Sequence, residues 1–392
     1  MIYVHIPFCR SFCTYCDFYS EVASRCRKAE EALRQETLFE RYAKAVSAEA
    51  LSRAKEICGD VDTLYLGGGT PSVLPLSALQ QIVDSLRSIR GSQPYKEFTV
   101  EVNPEDIVEK GYAYVEGLLK MGVNRVSMGV QSFDDDVLKF MNRRHDAEMA
   151  RKAYHILEES GVENISIDLI FGLPQLSDDA WQSTLDKALE ISSKGSLPCH
   201  ISSYQLSVEP GSALASLVER GLWSEAAEDL CERHYGMLCG ALSDAGYHHY
   251  EISNFALPGY EAVHNSAYWN HTPYVGLGPG AHSFIGSSAG PVSKRQWNIS
   301  DVNAYIDAAE SGDFTPISES ETLTEDQLSL EHIMLGLRTS RGVDAEYLRT
   351  HISSQNLERA LSVGNLVETP GNFIRIPENR FFISDSIIAD II

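Results

Sequence analysis

The segment from residue 6 to residue 18 reads Ile6-Pro-Phe-Cys-Arg-Ser-Phe-Cys-Thr-Tyr-Cys-Asp-Phe18 and places three cysteines within eight residues. It follows directly on the run Ile2-Tyr-Val-His-Ile6, which is typical of a short buried strand. Three soft thiolate ligands on one loop can hold a metal centre and leave one coordination position open. The sequence therefore predicts a metal centre with an accessible position at the end of the first strand.

A structural zinc site is the alternative interpretation of this loop, with a nearby imidazole such as that of His5 completing the ligand set. Zinc ligands usually come as two separated pairs, and the sequence contains no second pair. The remaining cysteines are scattered and are typical of small buried side chains. They are Cys26, Cys58, Cys199, Cys231 and Cys239. The spacing therefore favours iron and sulfur over zinc.

The overall composition is that of an ordinary soluble protein, with 43% hydrophobic and 22% charged residues in 392. A formal net charge of −23 argues against nucleic acid as a partner, because phosphate binding needs a basic surface. We expect neither a secretory signal nor a membrane span, since no apolar stretch reaches ~18 residues. Free thiols beside an iron–sulfur site predict a reducing cytoplasm. A peripheral membrane contact and a homodimer are left open.

Short β-branched runs alternate with amphipathic stretches over the first half of the chain. The predicted strands are Ile2–Ile6, Thr63–Gly67, Phe98–Asn103, Arg125–Val130, Ile165–Phe171 and Ile201–Leu206. The predicted helices between them include Leu76–Ile89, Glu105–Lys120 and Ala147–Ser160. This alternation predicts an α/β protein with a parallel sheet and crossover helices. Six units rather than eight predict a partial (β/α)6 barrel of the TIM type over residues 1–210.

The second half of the chain is predicted to contain two further parts. Residues 211–317 form an extension that begins with a long helix over Glu225–Ala245 and also contains the run His264-Asn-Ser-Ala-Tyr-Trp269. The polar stretch Ser318–Thr324 is typical of a linker. Helices followed by two strands within Phe373–Ile383 then predict a small winged-helix-like C-terminal domain, and we assign residues 318–392 to this domain.

Polar and glycine-rich motifs follow the predicted strands, at the edge where parallel α/β folds place their sites. Gly67-Gly-Gly-Thr-Pro71 is either a tight turn or a loop whose backbone approaches a ligand. Glu101, in a hydrophobic strand, must either pair with a buried cation or hold a ligand group such as a ribose hydroxyl or an ammonium. Gln131, Arg143 and Asp168 are open to the same two interpretations. Their convergence predicts one site beside the cysteine loop.

The Cys-x-x-x-Cys-x-x-Cys spacing resembles the cluster motif of the radical S-adenosylmethionine (SAM) superfamily. That resemblance implies that Cys9, Cys13 and Cys16 hold three irons of a 4Fe–4S cluster, while the fourth iron takes the amino and carboxylate groups of SAM. Several motifs look, in order, like those of the oxygen-independent coproporphyrinogen oxidase family, HemN. They are Tyr3-Val-His-Ile-Pro-Phe-Cys9, Gly68-Gly-Thr-Pro71, Glu101-Val-Asn-Pro104, Gly129-Val-Gln131, Asn142-Arg143 and Asp168-Leu-Ile-Phe-Gly-Leu-Pro174.

This likeness also implies a role for individual residues around the cluster. Contacts to the cluster-bound SAM are implied for Tyr3, Tyr15, Gly68 and Glu101. The neighbouring cavity, which in the oxidase holds a second SAM, would be lined by Gly69, Thr70, Gln131, Arg143, Asp168 and Gln205.

Two departures separate the sequence from the oxidases. The oxidase carries a fourth cysteine two positions after the third, where this chain has Phe18, and it also carries an N-terminal extension before the cluster motif. Both departures, and the run His264–Trp269, resemble HemW, the branch of HemN-like haem chaperones. The resemblance implies haem binding, with His264 as axial ligand and His282 as its rival, and delivery to acceptor haemoproteins such as respiratory enzymes. A core-facing His264 packed with its aromatic neighbours is the alternative interpretation.

Two functions from different classes follow from these features, and whether the chain is an enzyme is left open. The first is a haem chaperone that uses a 4Fe–4S cluster, SAM and one haem. The second is oxygen-independent decarboxylation of coproporphyrinogen III, since Gln131, Arg143 and Asp168 are shared with the oxidases. A structural zinc module is the third interpretation.

Overall fold

Six parallel strands form the centre of the structure, a computed structural model that describes residues 1–23, 29–57, 61–286 and 292–392. The strands in these ranges are β1 (Ile2–Ile6), β2 (Phe8–Cys9), β3 (Glu21–Val22), β4 (Thr63–Gly68), β5 (Glu97–Val102), β6 (Arg125–Gln131), β7 (Ile165–Phe171), β8 (His200–Gln205), β9 (His248–Glu251), β10 (Asn254–Ala256), β11 (Val275–Leu277), β12 (His282–Ile285), β13 (Lys294–Asn298), β14 (Ser318–Thr322), β15 (Val343–Asp344), β16 (Val367–Thr369) and β17 (Phe373–Arg375). The helices are α1 (Ala29–Ser52), α2 (Ala54–Ile57), α3 (Leu76–Arg90), α4 (Pro104–Lys120), α5 (Asp135–Phe140), α6 (Ala147–Glu159), α7 (Asp178–Leu189), α8 (Ala213–Glu219), α9 (Glu228–Asp244), α10 (Val263–Trp269), α11 (Val302–Ser311), α12 (Glu325–Gly336), α13 (Ala345–His351), α14 (Ser354–Ser362) and α15 (Ser384–Ile391).

The main sheet confirms the predicted partial (β/α)6 barrel. Its strand order is β11-β1-β4-β5-β6-β7-β8-β10-β9, and the six strands from β1 to β8 in that order are parallel. Each predicted strand bound lies within one residue of the observed one. The periodicity succeeded here because strands buried on both faces carry continuous β-branched runs, which turn residues then interrupt.

Apolar and polar side chains alternate along the barrel strands. On β5 and β6 the apolar set, such as Val100, Val126 and Met128, is buried in the core that the barrel shares with its helices. The other set begins with Glu97 on β5 and Arg125 on β6 and is polar. TIM-type barrels are normally filled by branched aliphatic residues. A polar interior is therefore the first structural sign that this barrel holds a ligand.

Strands from the extension complete the sheet on both sides. β11 adds to β1 in parallel, and β10 and β9 add beyond β8 in antiparallel orientation. A buried carboxylate ties α1 to this region, because Glu49 accepts hydrogen bonds from the Gly278 amide, the Asn298 side chain and the Tyr305 hydroxyl. The sheet thus crosses residue 210, while the division of the chain into three domains stays a proposal.

The predicted linker over Ser318–Thr324 is wrong. Residues 318–322 form β14, the edge strand of a second sheet with the order β12-β13-β14. The strand pairs side chains across the ladder, since Arg295 lies 3.2 Å from Glu321 and the Trp297 indole donates to Glu319 at 3.0 Å. None of the five residues of β14 is buried, and all of them are polar, which explains why the sequence resembled a linker.

The C-terminal domain confirms the winged-helix-like prediction, with α12, α13 and α14 beside a small sheet ordered β15-β17-β16. The predicted pair of strands within Phe373–Ile383 is wrong, because only Phe373–Arg375 is a strand and Glu378–Ile383 is a 3₁₀ helix after Pro377. The hairpin of the wing, between β16 and β17, turns earlier, at Gly371 and Asn372, both of which have positive φ. Among the described helices, none combines the length and apolarity needed to cross a bilayer.

Candidate functional site

A cavity of about 500 Å³ opens at the carboxyl ends of the barrel strands and runs into the barrel. Its size is typical of a small-molecule site. Most of the predicted site residues line it: Cys9, Cys13, Tyr15, Cys16, Gly68, Gly69, Thr70, Glu101, Gln131, Arg143, Asp168 and Gln205. Tyr3 and His264 lie outside this lining. The structure thus brings together twelve of the fourteen predicted site residues.

The cysteine loop is held over the mouth of the barrel by backbone hydrogen bonds. β2 pairs with β3 in parallel, which closes the base of the loop. On the far side, the Thr14 amide donates to the Met141 carbonyl, and the Asn142 side chain donates to the Phe12 carbonyl at 2.7 Å. The loop is therefore fixed at both ends, and its three thiols face one cavity.

The thiols meet polar groups at the mouth of the cavity. The Sγ of Cys9 lies 3.5 Å from the Thr70 hydroxyl, and Arg143 donates a hydrogen bond to the Sγ of Cys13 at 3.3 Å. Burial raises the pKa of Cys9 and raises that of Cys16 to about 12. A metal must therefore displace protons here, as it generally does at thiol ligands.

The spacing of these thiols bears on the kind of metal centre they could hold. Within the described ranges, no group of three or more His, Cys, Asp or Glu side chains is placed to hold a single metal ion. A tetrahedral zinc site needs all its sulfur ligands within ~2.3 Å of one atom. Three thiols that line a common cavity would suit a multi-iron cluster, in which different irons take different thiolates.

Arg143 is anchored by three acceptors beside the cysteine loop. Besides Cys13, it donates to the Asn103 side chain at 2.7 Å and to the Gly129 carbonyl at 2.8 Å. β6 has a bulge here, and Gln131 adopts a φ of 67°, which turns the end of the strand. The strain at Gln131 is the kind that functional sites retain.

Glu101 lies deeper in the cavity, and each of its carboxylate oxygens accepts one hydrogen bond from the protein. One carboxylate oxygen accepts from the Tyr65 hydroxyl at 2.7 Å and the other from the Gly68 amide at 3.0 Å. Burial raises its pKa to about 7, against the hydrogen bond from Tyr65, which lowers it. A carboxyl group poised near neutrality can accept a hydrogen bond from a ligand hydroxyl or pair with a ligand cation.

The glycine loop after β4 uses close backbone approach for its own packing. The Gly69 and Thr70 amides donate to the Ile6 and Phe8 carbonyls, and a Cβ on Gly69 would lie 2.8 Å from the Ile6 carbonyl oxygen. The close backbone approach therefore serves the packing of the protein itself, and contact with a ligand stays a prediction. The amides of the motif fasten the cysteine loop, and the groups left for a ligand are carbonyls and the Thr70 hydroxyl.

Asp168 marks the middle of the barrel interior, where it accepts a hydrogen bond from Ser127 at 3.2 Å. Burial raises its pKa. Sequence reasoning missed the polar residues around it: Arg125, Ser127, Ser202, Tyr204 and Asn265 also line the cavity. The signal that could have found Arg125 and Ser127 is their period of two with Gln131 along β6.

Tyr3 is placed behind the cavity wall. Its hydroxyl lies 3.0 Å from Nδ1 of His5, and its ring packs on Tyr65 at a centroid distance of 6.0 Å. His5 in turn contacts the Tyr19 carbonyl through Nε2. A role for Tyr3 toward SAM would therefore act through the position of Tyr65.

His264 is buried at the opposite end of the barrel from the cysteines, with 1% of its surface exposed. Its Nδ1 lies 2.8 Å from the Thr63 hydroxyl and its Nε2 lies 3.0 Å from the Tyr268 hydroxyl. Burial lowers its pKa to about 3, so the ring is neutral. The next residue, Asn265, lines the cavity. His282 is exposed and stacks on Trp297, with 5.8 Å between ring centroids.

Comparisons with known proteins agree with this geometry. Residues 3–188 match the radical SAM superfamily model. The chain is 34% identical over 344 residues to the heme chaperone HemW of Bacillus subtilis, which covers 87% of this chain and 84% of that protein. It is 30% identical over 392 residues to the heme chaperone HemW of Mycobacterium tuberculosis, covering 100% of this chain and 94% of that one.

One solved structure shares the fold over almost the whole chain. The coproporphyrinogen III oxidase HemN of Escherichia coli superimposes with a TM-score of 0.79 at 22% identity, and the match covers 99% of this chain and 89% of that one.

A further sequence relative is the mitochondrial radical S-adenosyl methionine domain-containing protein 1 of Danio rerio. It is 30% identical over 386 residues, which cover 97% of this chain and 82% of that protein.

Proposed function

Because this chain belongs to the HemW family of radical SAM proteins, we propose that it is a haem chaperone that binds haem and passes it to acceptor haemoproteins, respiratory enzymes among them. The proposal includes a 4Fe–4S cluster on Cys9, Cys13 and Cys16 and a SAM molecule at its open iron. Thiols that must stay reduced to hold iron support a reducing compartment such as the cytoplasm.

The observation that carries the proposal is the position of two motifs at the ends of one cavity. The cysteine loop lines the mouth, and Asn265, within the His264–Trp269 motif, lines the same cavity. Phe18 stands at the mouth, where the oxidases carry their fourth cysteine, and its side chain is 65% exposed. A protein with both motifs on one barrel can link the state of a cluster to a bound haem.

The side chains at the mouth fit the proposed cofactors. The three thiols would hold the cluster, Arg143 would balance the charge of the thiolate on Cys13, and Glu101 would accept hydrogen bonds from SAM. When bound, a cluster of this kind supplies a single electron to SAM. The chain itself holds the thiols in place through the Met141 and Phe12 carbonyls.

His264 is the proposed axial ligand of the haem, and imidazole is a common ligand of haem iron. Ligation through Nε2 would replace the hydrogen bond to Tyr268, which leaves Nδ1 fixed by Thr63. That bond would set the ring orientation and its basicity, as second partners of metal-bound histidines do. His282 reaches solvent without such a change and is the rival.

Haem titration after anaerobic reconstitution tests the proposal, with His264→Ala, His282→Ala and, as a control, the exposed His351→Ala. We expect one haem per wild-type chain, loss of that haem in His264→Ala, and no change in the control. Loss in His282→Ala alone would move the ligand to the rival. A wild-type chain that binds no haem would overturn the proposed chaperone function.

The second candidate is the oxidase activity, which the polar cavity with Gln131, Arg143 and Asp168 favours. An anaerobic assay with SAM, dithionite and coproporphyrinogen III distinguishes the two. The proposed chaperone forms no protoporphyrinogen, while turnover would establish the enzyme.

A further inference from the structure

In the described part of the chain, Arg125 is the one large cationic side chain inside the barrel for which no hydrogen-bond acceptor or ion-pair partner is found. It is the first residue of β6, and only 2% of its surface is exposed. Its Nε has no hydrogen-bond acceptor, and no carboxylate of the described residues lies within 4.0 Å of the guanidinium. A buried guanidinium without an acceptor is costly, so its retention calls for a partner.

The nearest carboxyl groups do not serve as that partner. Arg125 lowers the pKa of Glu101 and of Asp168, which places both within electrostatic range. Each is nevertheless held by another donor: Glu101 by Tyr65 and Gly68, and Asp168 by Ser127. Neither carboxylate lies within 4.0 Å of the Arg125 guanidinium, so neither forms an ion pair with it.

The guanidinium lines the same cavity as the cysteines, together with Asn265. Arg125 and Gln131 are the two ends of a seven-residue strand, which spans roughly 20 Å at the usual rise per residue. The cavity therefore has a thiol end and an arginine end. We propose that the arginine end is a carboxylate-binding subsite, in which Arg125 receives a carboxylate of a bound small molecule and Asn265 supplies a second donor.

The charge balance selects a carboxylate over a phosphate. One guanidinium offsets one negative charge, and its planar fork matches the two oxygens of a carboxylate. A phosphate dianion would leave excess negative charge beside Glu101 and Asp168, which repel it. Arg125 thus suits a monoanionic group with two oxygens.

Two molecules could bring this carboxylate, and the porphyrin case rests on the proposed function. Haem carries propionate side chains. SAM carries an amino-acid carboxylate, but a SAM bound at the cluster would place that group at the thiol end, so the arginine end would require a second SAM. The shared chemistry is a free carboxylate on a ligand of moderate size.

Equilibrium binding to paired ligands tests the subsite. The first pair is haem and haem dimethyl ester, in which both propionates are blocked; the second is SAM and its decarboxylated analogue. The proteins are the wild type, Arg125→Gln, Arg125→Lys and the surface control Arg349→Gln, whose side chain is half exposed. Thermal unfolding of each variant checks its fold.

We expect Arg125→Gln to weaken either haem or SAM by on the order of 10- to 100-fold, to leave the matching carboxylate-free ligand unaffected, and to be partly rescued by Arg125→Lys. Whichever pair responds identifies the source of the carboxylate. Equal losses for both members of a pair, or no loss in either pair, would overturn the subsite. Should Arg125→Gln fail to fold, Arg125→Lys decides, because a subsite requires it to weaken the free acid more than the blocked partner. A wild type that binds no haem, together with a loss of SAM affinity in Arg125→Gln that the decarboxylated analogue does not share, would remove the chaperone and retain the subsite.

Discussion

The hydroxyl of Tyr65 donates a hydrogen bond to Glu101 at 2.7 Å, while the ring of the same tyrosine lies against His264 with 5.1 Å between centroids. One side chain thus touches both the carboxylate proposed to contact SAM and the imidazole proposed to contact haem. Because protein interiors are close-packed, a displacement of Tyr65 at one contact must be accommodated at the other. The two ends of the barrel are mechanically adjacent through a single residue.

Replacing Glu101 by glutamine should weaken SAM binding about tenfold, because a charge-assisted acceptor for the ligand is lost. Tyr65→Phe removes only the supporting hydroxyl and should weaken SAM binding by less. Isothermal titration of SAM into the anaerobically reconstituted protein measures both constants. If Glu101→Gln binds SAM like the wild type, the carboxylate does not contact the ligand.

Replacing Cys13 by alanine should abolish iron and sulfide incorporation, because a cluster that loses one of three thiolate ligands is no longer held. Cys199→Ala is the matched control, since that thiol is partly buried and donates to the Glu163 carbonyl. Iron, sulfide and zinc per chain are measured after anaerobic reconstitution. One zinc and no iron in the wild type would instead establish the structural zinc site.

The sequence predicted the barrel closely because the six central strands are buried on both faces, and such strands carry their own signal. It failed where pairing partners decide the structure. β14 is polar and exposed and became a strand only because β13 offers its edge. β9, β10 and β11 are three or four residues long and join the sheet through contacts distant in sequence.

The same distinction, between what the local sequence signals and what distant contacts decide, applies to the residues of the site. Cys9 and Glu101 lie at or near the ends of strands, and Asp168 lies in the middle of β7 within a motif that continues past the end of that strand. Motif position indicated them, and the structure places all three at one cavity. Arg125 stands at the start of its strand, at the end of a barrel usually associated with stability. The length of its side chain brings it into the cavity, and only coordinates reveal that it lacks an acceptor. The role of His264 stays a prediction.

Replacing Glu49 by alanine should destabilise the fold by roughly 3–5 kcal/mol, the usual cost of breaking a buried charged network. The change leaves three donors without their acceptor: the Gly278 amide, the Asn298 side chain and the Tyr305 hydroxyl. It thereby removes the hydrogen bonds that connect α1 to the extension. Urea unfolding followed by circular dichroism measures the loss. Glu368→Ala, at an exposed pair with Arg349, should leave the midpoint unchanged. An equally small effect at Glu49 would mean that the network does not hold the extension.

Ionisation of Glu251 should lower the free energy of unfolding as the pH rises. Glu251 is buried where the sheet meets the C-terminal domain, through a bridge to Thr339, and burial raises its pKa to about 7 from an ordinary value of 4.5. The unfolded chain ionises above pH 4.5, but the native state keeps the proton until about pH 7. Native stability is therefore lost across that window, by up to about 3 kcal/mol.

Glu251→Gln removes this titration and keeps the shape of the side chain. The free energy of unfolding of the variant minus that of the wild type should rise between pH 4.5 and pH 7 and level off above it. Urea titrations at intervals across that range measure the difference, in which other titrating groups cancel. Glu368→Gln, exposed on the C-terminal domain, provides the flat reference. A Glu251→Gln difference that is equally flat would show that the buried carboxyl group ionises at its ordinary pKa, with water or an unrecognised donor reaching the oxygen that lacks a partner.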